Sequence, residues 1–280
     1  MNDIAIVLGV NADIGFNICK MLLADGHHVV GTYRKDFSKF QELSEHPNMH
    51  LLRCDITKPD DIKNVANFME EKGLHWSLLF SSVGTSEPIG RFFELDFDDW
   101  EQSFYINFTG QLRALHALYP YRNQSTIVDI ALMAGGGTNN PFRCYSSYCV
   151  AKVGLIKMCE LIDDEAEDVN IFIFGPGFVR TKTHYETIDA GVKAEGNWER
   201  VKQFMESGDQ GTEFADIYRC MQWGRKVGRE TVGGRNLSVV HDAWGNDLLE
   251  QALKQDANLY KLRRYGNDRI IKKPDVSSDR

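Results

Sequence analysis

The sequence predicts an α/β protein: a single doubly wound domain built on a seven-stranded parallel sheet. Short apolar runs, each of strand length, alternate along the chain with segments of helical periodicity. Strands that are apolar throughout are typical of a parallel sheet covered by helices on both faces. The chain has 280 residues, of which 42% are hydrophobic, and this is enough for one large core.

Seven apolar segments are the predicted strands, at residues 4–10, 27–34, 50–56, 76–84, 125–132, 169–177 and 236–242. The two longest helices predicted between them are 98–118 and 148–165. Residues 1–244 are assigned to one domain, and 245–280 to a C-terminal helix and tail. Within the domain, 181–233 is too long for an unstructured connection and predicts a helical lid over a site.

Composition argues against several classes of function. The net charge is −8, whereas nucleic-acid-binding proteins usually carry a strongly basic face. No apolar run is long enough to span a bilayer, and the N-terminus lacks the basic start of a signal peptide. The six cysteines form no CxxC pair, which indicates free thiols in a cytoplasmic protein without a metal site. The expected partner is a small-molecule substrate.

A glycine-containing turn joins the first strand to the first helix. It reads LGVNADIG, and its candidate ligand-binding residues are Gly9, Asn11, Asp13, Ile14 and Gly15. Such a turn allows backbone N–H groups and a helix N-terminus to bind a pyrophosphate. The alternative is a tight strand-to-helix turn that binds nothing.

The end of the second strand suggests which dinucleotide would bind. An acid there usually binds the ribose 2′-hydroxyl of NAD, whereas an arginine suits the 2′-phosphate of NADP. The strand ends Thr32-Tyr33-Arg34-Lys35, and no acid follows until Asp36. Because guanidinium and phosphate form a charge-assisted pair, Arg34 favours NADPH over NADH. The alternative is that Arg34 is a solvated strand end.

Tyr148 and Lys152 are separated by one helical turn, in the segment YCVAK. Both side chains therefore project from one face of a helix. A nearby ammonium favours the phenolate, which would lower the pKa of the tyrosine toward neutral pH and make it a proton donor. The spacing alone is weak evidence, since a surface helix pair gives the same pattern.

These motifs and others, in this order, resemble the short-chain dehydrogenase/reductase family over roughly residues 3–242. Asp55 follows the third strand as a family aspartate does, SSVG (81–84) replaces the family's NNAG, and PGFVRT (176–181) matches PGxVxT. Asp13 replaces a family glycine and would repel phosphates if it pointed inward. The resemblance implies a Rossmann domain and these further cofactor-binding residues: Asp55, Ser82, Gly84, Tyr148, Lys152, Pro176, Gly177, Val179 and Thr181.

The resemblance also implies a catalytic set of Asn107, Tyr148 and Lys152. Tyr148 would donate the proton, Lys152 would tune it and hold the nicotinamide ribose, and Asn107 would support a water relay to the lysine. A buried asparagine that satisfies a helix kink is the alternative for Asn107. The family further implies a homodimer or homotetramer, paired through the helices 98–118 and 148–165.

One member of the family's catalytic set is missing. The family's fifth strand ends NISS, whereas this chain has Asp129-Ile130-Ala131-Leu132, so Leu132 stands at the serine. The loss of one such donor costs about 3–4 kcal/mol in the transition state. Thr138 or a backbone N–H of 135–137 could replace it, the substrate could supply its own hydroxyl, or activity could have been lost.

The sequence therefore predicts an NADPH-dependent oxidoreductase that reduces a ketone or aldehyde to an alcohol, on a polar sugar-like or polyol substrate. Candidate substrate contacts are Leu132, Thr138, Arg235, His241, Asp242 and Trp244. The main alternative is a catalytically impaired dinucleotide-binding regulatory or scaffold protein. A sugar-nucleotide epimerase or dehydratase would need a larger C-terminal domain than the chain leaves room for.

Overall fold

The computed structural model describes residues 3–209 and 211–265. Within this part of the chain, seven strands form one sheet: β1 (Ile4–Leu8), β2 (His28–Tyr33), β3 (Met49–Arg53), β4 (Trp76–Ser81), β5 (Val128–Met133), β6 (Val169–Gly175) and β7 (Asn236–Ser238). All run parallel, in the spatial order β3-β2-β1-β4-β5-β6-β7. The predicted doubly wound α/β fold is confirmed.

Helices connect the strands. They are α1 (Asp13–Ala24), α2 (Phe40–Ser44), α3 (Pro59–Glu71), α4 (Phe97–Phe104), α5 (Gly110–Leu118), α6 (Ser146–Glu165), α7 (Lys182–Ala190), α8 (Gly196–Glu206), α9 (Phe214–Val227), α10 (Arg229–Val232) and α11 (Asp247–Gln255). The central strands β1 and β4 are buried because both faces of the sheet are covered. On one face α1 and α9 pack into the core, and on the other α3, α5 and α6 do so.

The predicted helix 98–118 is interrupted. Between α4 and α5 the backbone forms a π-helical turn, Tyr105–Thr109, so the helix continues with one widened turn. Asn107 lies in this turn and is fully buried. Widened turns of this kind are frequent at functional sites.

The segment predicted as a lid, 181–233, divides into two parts. Its second part is α9 and α10, and buried residues of α9 such as Ile217 and Met221 belong to the core cluster on the sheet. Its first part is α7 and α8, and α7 lines a cleft described below. A lid role therefore remains a prediction for α7 and α8, while α9 covers the sheet.

The C-terminal segment is fastened by Arg235, which is 4% exposed. Its guanidinium donates hydrogen bonds to the backbone carbonyls of Leu253, Asp256 and Leu259, at and beyond the end of α11. A cation that satisfies carbonyls at a helix C-terminus stabilises the helix. The predicted substrate contact of Arg235 is wrong for this reason. Part of the predicted tail, 266–280, lies outside the described residues.

Across the described ranges, no helix is long and apolar enough to cross a membrane.

Candidate active site

A cleft opens at the carboxyl ends of the strands, beside the point between β1 and β4 where the strand order reverses. Parallel sheets of this type bind ligands at such a crevice. The cleft has a volume of about 940 Å³. Seven residues predicted to bind a cofactor line it: Gly9, Asn11, Asp13, Arg34, Asp55, Ser82 and Gly84.

The turn at the base of the cleft depends on glycine. Gly9 has a φ of +87°, which disfavours other residues. A β-carbon on Gly15 would lie 2.2 Å from the carbonyl oxygen of Gly9 and 2.3 Å from Ser82 Oγ. The Ser82 hydroxyl lies 3.2 Å from the carbonyl of Leu8 and 3.1 Å from that of Gly9, so it joins β4 to the turn. This is a close backbone cradle of the kind that binds a pyrophosphate.

Asp13 reaches toward the first turn of α7. Its Oδ2 accepts a hydrogen bond from the backbone N–H of Lys182 at 3.2 Å. Asp13 also lines the cleft, whereas Ile14 and Gly15 do not. The carboxylate thus joins the glycine turn to the lid segment.

The outer end of the cleft is basic where the sequence predicts a 2′-phosphate. Arg34 and Lys35 are both exposed and both line the cleft. Asp55 lies close enough to interact with Arg34. Burial acts to raise the pKa of Asp55, but hydrogen bonds from Thr57 and the charge of Arg34 lower it below its ordinary value. Asp55 therefore stays ionised next to the arginine.

Asn107 fixes the loop that follows β4. Its Nδ2 donates to the carbonyl of Thr85 at 2.8 Å and to that of Ser103 at 3.0 Å, and its Oδ1 accepts from the N–H of Thr85 at 3.1 Å. The side chain also borders Gly84, on which a β-carbon would lie 3.1 Å from Asn107 Oδ1. The asparagine thus has a local bonding role and lies behind Gly84, which lines the cleft, while Asn107 itself does not.

Lys152 reaches the same glycine from α6. A β-carbon on Gly84 would lie 3.8 Å from Lys152 Nζ, and Nζ donates to the carbonyl of Met133 at 2.9 Å. The lysine is 3% exposed, and burial lowers its pKa to about 8. Gly84 is thus the point where the cleft, Asn107 and Lys152 meet.

Tyr148 lies beside the loop that follows β5. Lys152 Nζ is 5.8 Å from the centre of its ring. Burial raises the pKa of Tyr148 above its ordinary value, with smaller contributions from Cys149 and Glu186. The expected lowering of the tyrosine pKa is therefore not what the structure shows, because both groups are desolvated and the ammonium is bonded to Met133.

The residue in contact with Tyr148 is Gly135. A β-carbon on Gly135 would lie 2.2 Å from the tyrosine hydroxyl and 2.5 Å from Cζ. Leu132, which the sequence places at the family serine, is 3% exposed and packs in the core cluster that faces α3, α5 and α6. Leu132 is therefore not at the cleft. Thr138 is partly buried in the loop after Gly135.

The remaining predicted residues lie around the cleft without lining it. Pro176 and Gly177 follow β6, and Val179 pairs with Gly211 in an isolated bridge. Thr181 precedes α7 and shares a hydroxyl hydrogen bond of 2.9 Å with Thr183. This stretch therefore carries the chain from β6 into the lid segment.

Three predicted substrate residues lie after β7, outside the cleft lining. His241 is exposed. The indole N–H of Trp244 donates to the carbonyl of Val239 at 2.9 Å, and its ring packs on the core. Asp242 accepts from the N–H of Ser238 at 2.6 Å. These bonds give the segment a structural role.

Sequence reasoning missed Glu186. It lies on α7, is 5% exposed and lines the cleft. A glutamate in a segment of mixed charge usually indicates a solvated helix face, and nothing in the local pattern marks this one as buried.

Comparison with known proteins decides the family. A sequence profile described as short chain dehydrogenase matches residues 3–190. The chain belongs to this family. Benzil reductase ((S)-benzoin forming) of Bacillus subtilis is 24% identical over 217 residues, which are 74% of this chain and 86% of that protein. An NADPH-dependent pterin aldehyde reductase of Arabidopsis thaliana is 23% identical over 184 residues, 63% of this chain and 75% of that one.

Solved structures of short-chain dehydrogenases share the fold. One from Saccharomyces cerevisiae superposes with a TM-score of 0.77 at 19% identity, over 87% of this chain and 98% of that chain. A variant of the actinorhodin polyketide ketoreductase with NADPH superposes with a TM-score of 0.72 at 19% identity, over 88% and 98%. The family resemblance found in the sequence is confirmed.

Proposed function

We propose that the protein is an NADPH-dependent reductase that converts a ketone or aldehyde into an alcohol. The observation that carries the proposal is the set of side chains along one cleft. Its outer end presents Arg34 and Lys35. Its wall at Gly84 borders Asn107 and Lys152. The membership of the chain in a dehydrogenase family supports the same reaction class.

The chain has the features needed to hold NADPH. Gly9 and Asn11 line the cleft beside the N-terminus of α1, where a pyrophosphate is stabilised. Arg34 and Lys35 suit a 2′-phosphate better than a ribose hydroxyl. Gly84 leaves space next to Lys152 for a ribose. NADPH, when bound, supplies the hydride.

Tyr148 is the proposed proton donor to the new alkoxide. Because burial raises its pKa, the hydroxyl stays protonated at neutral pH and is ready to act as an acid. Lys152 lies 5.8 Å from the ring, and its charge would stabilise the phenolate that remains after proton transfer. Asn107 and the lysine, which meet at Gly84, are proposed to return the proton from solvent.

The substrate oxygen must be held without the family serine. No side chain can stand between Gly135 and Tyr148, because a β-carbon there would overlap the hydroxyl. We propose that a backbone N–H of 135–137 or the hydroxyl of Thr138 supplies the missing donor, since backbone amides serve as oxyanion donors in other enzymes.

The surroundings of Tyr148 alter the expected substrate. Side chains packed in the same small cluster are apolar or aromatic: Ile89, Phe142, Tyr145, Cys149, Ala190, Ala194 and Trp198. Of these residues Ile89 and Ala190 also line the cleft, together with acidic residues such as Glu94 and Asp99, and hydroxyl groups that met the cluster itself would find no partners there. We therefore favour a carbonyl with apolar or aromatic substituents over the sugar-like substrate that the sequence suggested.

A second candidate is a dinucleotide-binding regulatory or scaffold protein. It is favoured by one observation: the position in contact with Tyr148 is a glycine, which carries no hydroxyl. Such a protein would bind NADPH at Arg34 but would turn over no carbonyl.

A homo-oligomer is proposed from the outer face of α4 and α6. The two helices pack together, since Trp100 Nε1 donates to Ser146 Oγ at 3.0 Å. Phe97 stacks on Trp100 at 5.5 Å and is 56% exposed, and Val150 on α6 is 52% exposed. Exposed apolar side chains grouped on one face suit a contact with a second copy of the chain. A cytoplasmic location remains a prediction.

The deciding experiment is NADPH consumption with a panel of aryl ketones, aliphatic aldehydes and sugars, run beside Tyr148→Phe. We expect turnover of an apolar carbonyl that falls at least about 100-fold in the variant, while NADPH binding is retained. NADPH binding without turnover of any carbonyl, in either direction, would favour the regulatory protein instead.

A further inference from the structure

Glu186 holds α7 against the loop that follows β4. Its Oε2 accepts from the backbone N–H of Ser86 at 2.8 Å and from the Ser86 hydroxyl at 2.6 Å. Its Oε1 accepts from the Thr85 hydroxyl at 3.0 Å and lies 2.6 Å from Lys182 Nζ. Four donors therefore surround a carboxylate that is 5% exposed.

The environment keeps this carboxylate charged. Burial alone would raise the pKa of Glu186, but the hydrogen bonds from Lys182 and Ser86 lower it below its ordinary value. A buried carboxylate with every lone pair satisfied holds its partners in one geometry, because losing any donor leaves a desolvated charge.

Thr85 links this carboxylate to Asn107. The hydroxyl of Thr85 donates to Glu186, while its backbone N–H and carbonyl form both amide hydrogen bonds with Asn107. One residue thus connects the lid helix to the asparagine of the proposed catalytic set. The placement of α7 determines where the backbone of Thr85 lies, and Thr85 in turn fixes the plane of the Asn107 amide.

The neighbouring residue on α7, Thr187, contacts the segment that precedes α6. Thr187 Oγ1 donates to the carbonyl of Thr183 at 3.1 Å, so the Tyr145 hydroxyl, 2.8 Å away, is its donor. Tyr145 precedes Tyr148 by three residues and is 2% exposed. Two consecutive residues of α7 therefore bond to two separate segments, the loop after β4 and the residue that precedes α6.

We propose that Glu186 is a positioning residue: through Thr85 it couples the closed placement of α7 to the orientation of Asn107. The reaction that Asn107 serves rests on the proposed function, but the coupling itself does not. When α7 lifts, the carboxylate leaves Thr85 and Ser86, and the loop 84–88 is held by Asn107 without Glu186. The substrate would then meet a fully formed site only under a closed lid.

The test is hydrogen–deuterium exchange of the full chain, with and without NADPH, on Glu186→Gln and the matched control Glu199→Gln. Glu199 is an exposed glutamate on α8, without an ion pair or a side-chain hydrogen bond within the described residues. We expect peptides from both α7 and the loop 84–88 to exchange about tenfold faster or more in Glu186→Gln. In Glu199→Gln both should exchange at the wild-type rate. Acceleration confined to α7 would overturn the coupling.

A second variant separates coupling from simple destabilisation. Thr85→Val removes the hydroxyl, which donates to Glu186 and accepts from the N–H of Glu87 at 3.3 Å, and keeps the backbone bonds to Asn107. If the proposal holds, it reproduces the faster exchange of α7 in a chain that remains folded. Unchanged exchange in Thr85→Val would show that Thr85 is not the link.

Kinetics give the final distinction. For the wild-type reductase, a positioning role predicts that Glu186→Gln lowers kcat about tenfold or more while KM for NADPH changes by less than about threefold. A merely structural role would lower thermal stability and leave kcat of the folded fraction unchanged. If the wild type turns over no carbonyl, the proposed function fails, yet the exchange experiment still decides the coupling.

Discussion

The hydroxyl of Tyr148 lies directly against the α-carbon of Gly135, so closely that a β-carbon at 135 would be 2.2 Å from it. Tyr148 can therefore occupy this position only because residue 135 has no side chain. Any side chain at this position would displace the ring from the place where Lys152 is 5.8 Å away. This contact also excludes a serine at residue 135 while Tyr148 keeps this place.

Gly135→Ala should abolish reductase activity by moving Tyr148. We expect kcat to fall about 100-fold or more, since small displacements of a reacting group carry losses of this size. Gly196→Ala is the control, because a β-carbon there meets nothing within 4 Å. Steady-state kinetics and melting temperatures of both variants check this; full activity in Gly135→Ala would show that the tyrosine can shift without cost.

Lys152→Met should stabilise the protein at neutral pH while removing activity. The lowering of the lysine pKa from 10.5 to about 8 by burial corresponds to about 3 kcal/mol. The lost hydrogen bond to Met133 offsets about 1 kcal/mol of this. We therefore expect the free energy of unfolding at pH 7 to rise by about 2 kcal/mol, a trade of stability against function.

The lowered pKa of Lys152 also determines how the stability of the wild-type protein changes with pH. Between about pH 8 and 10.5 the unfolded chain keeps the lysine proton that the folded chain has released, so wild-type stability gains with pH. The advantage of Lys152→Met should therefore shrink between urea titrations at pH 7 and pH 10. Lys157→Met, an exposed lysine on the same helix, serves as the control. A variant less stable than wild type at pH 7 would contradict the burial argument.

Arg34→Ala should weaken NADPH binding and leave NADH binding nearly unchanged. The loss of a charge-assisted bond to the 2′-phosphate amounts to about 1.5–3 kcal/mol, or about 10- to 100-fold in Kd. Arg53→Ala, at an exposed arginine that ends β3 away from the cleft lining, should change neither. Titration by nucleotide fluorescence measures all three proteins. Equal losses for both nucleotides would remove the basis for preferring NADPH.

Phe97→Asp should dissociate the proposed oligomer. A charge in the exposed aromatic face of α4 would have to be desolvated on contact with a second copy. The control is Leu248→Asp on α11, where the leucine is 75% exposed. Sedimentation velocity should show a smaller species only for Phe97→Asp. A wild-type protein that sediments as a monomer would refute the interface at the outset.

The fold could be predicted because its signals are local. Continuous apolar runs such as β1 and β6 are buried on both faces, and this pattern is typical of parallel sheets. The glycine turn and Arg34 can also be recognised in the sequence. Each directly follows a strand, and the carboxyl ends of parallel strands meet at one edge of the sheet, where a cleft forms.

The site was predicted less completely because its contacts are not local. Leu132 matches the serine by counting along β5, yet it points into the core, and the contact with Tyr148 is made by Gly135 in the loop beyond. Arg235 looked like a substrate ligand, but its partners are carbonyls 18 to 24 residues away. The burial of Glu186 likewise depends on a loop 100 residues distant along the chain.

The π turn at Tyr105–Thr109 determines what the loss of a single residue would do to this helix. Each residue of an α-helix advances the side chains by about 100°. Deleting one residue from this turn would let α4 and α5 fuse into one regular helix with every backbone bond intact. The widened turn accommodates one extra residue in about the rotation that four α-helical residues cover, so the same deletion would leave the faces of α4 and α5 nearly in place. A gap that counts as a trivial difference between two aligned relatives would thereby keep the packing of both helices and remove the turn that sets Asn107 against Thr85.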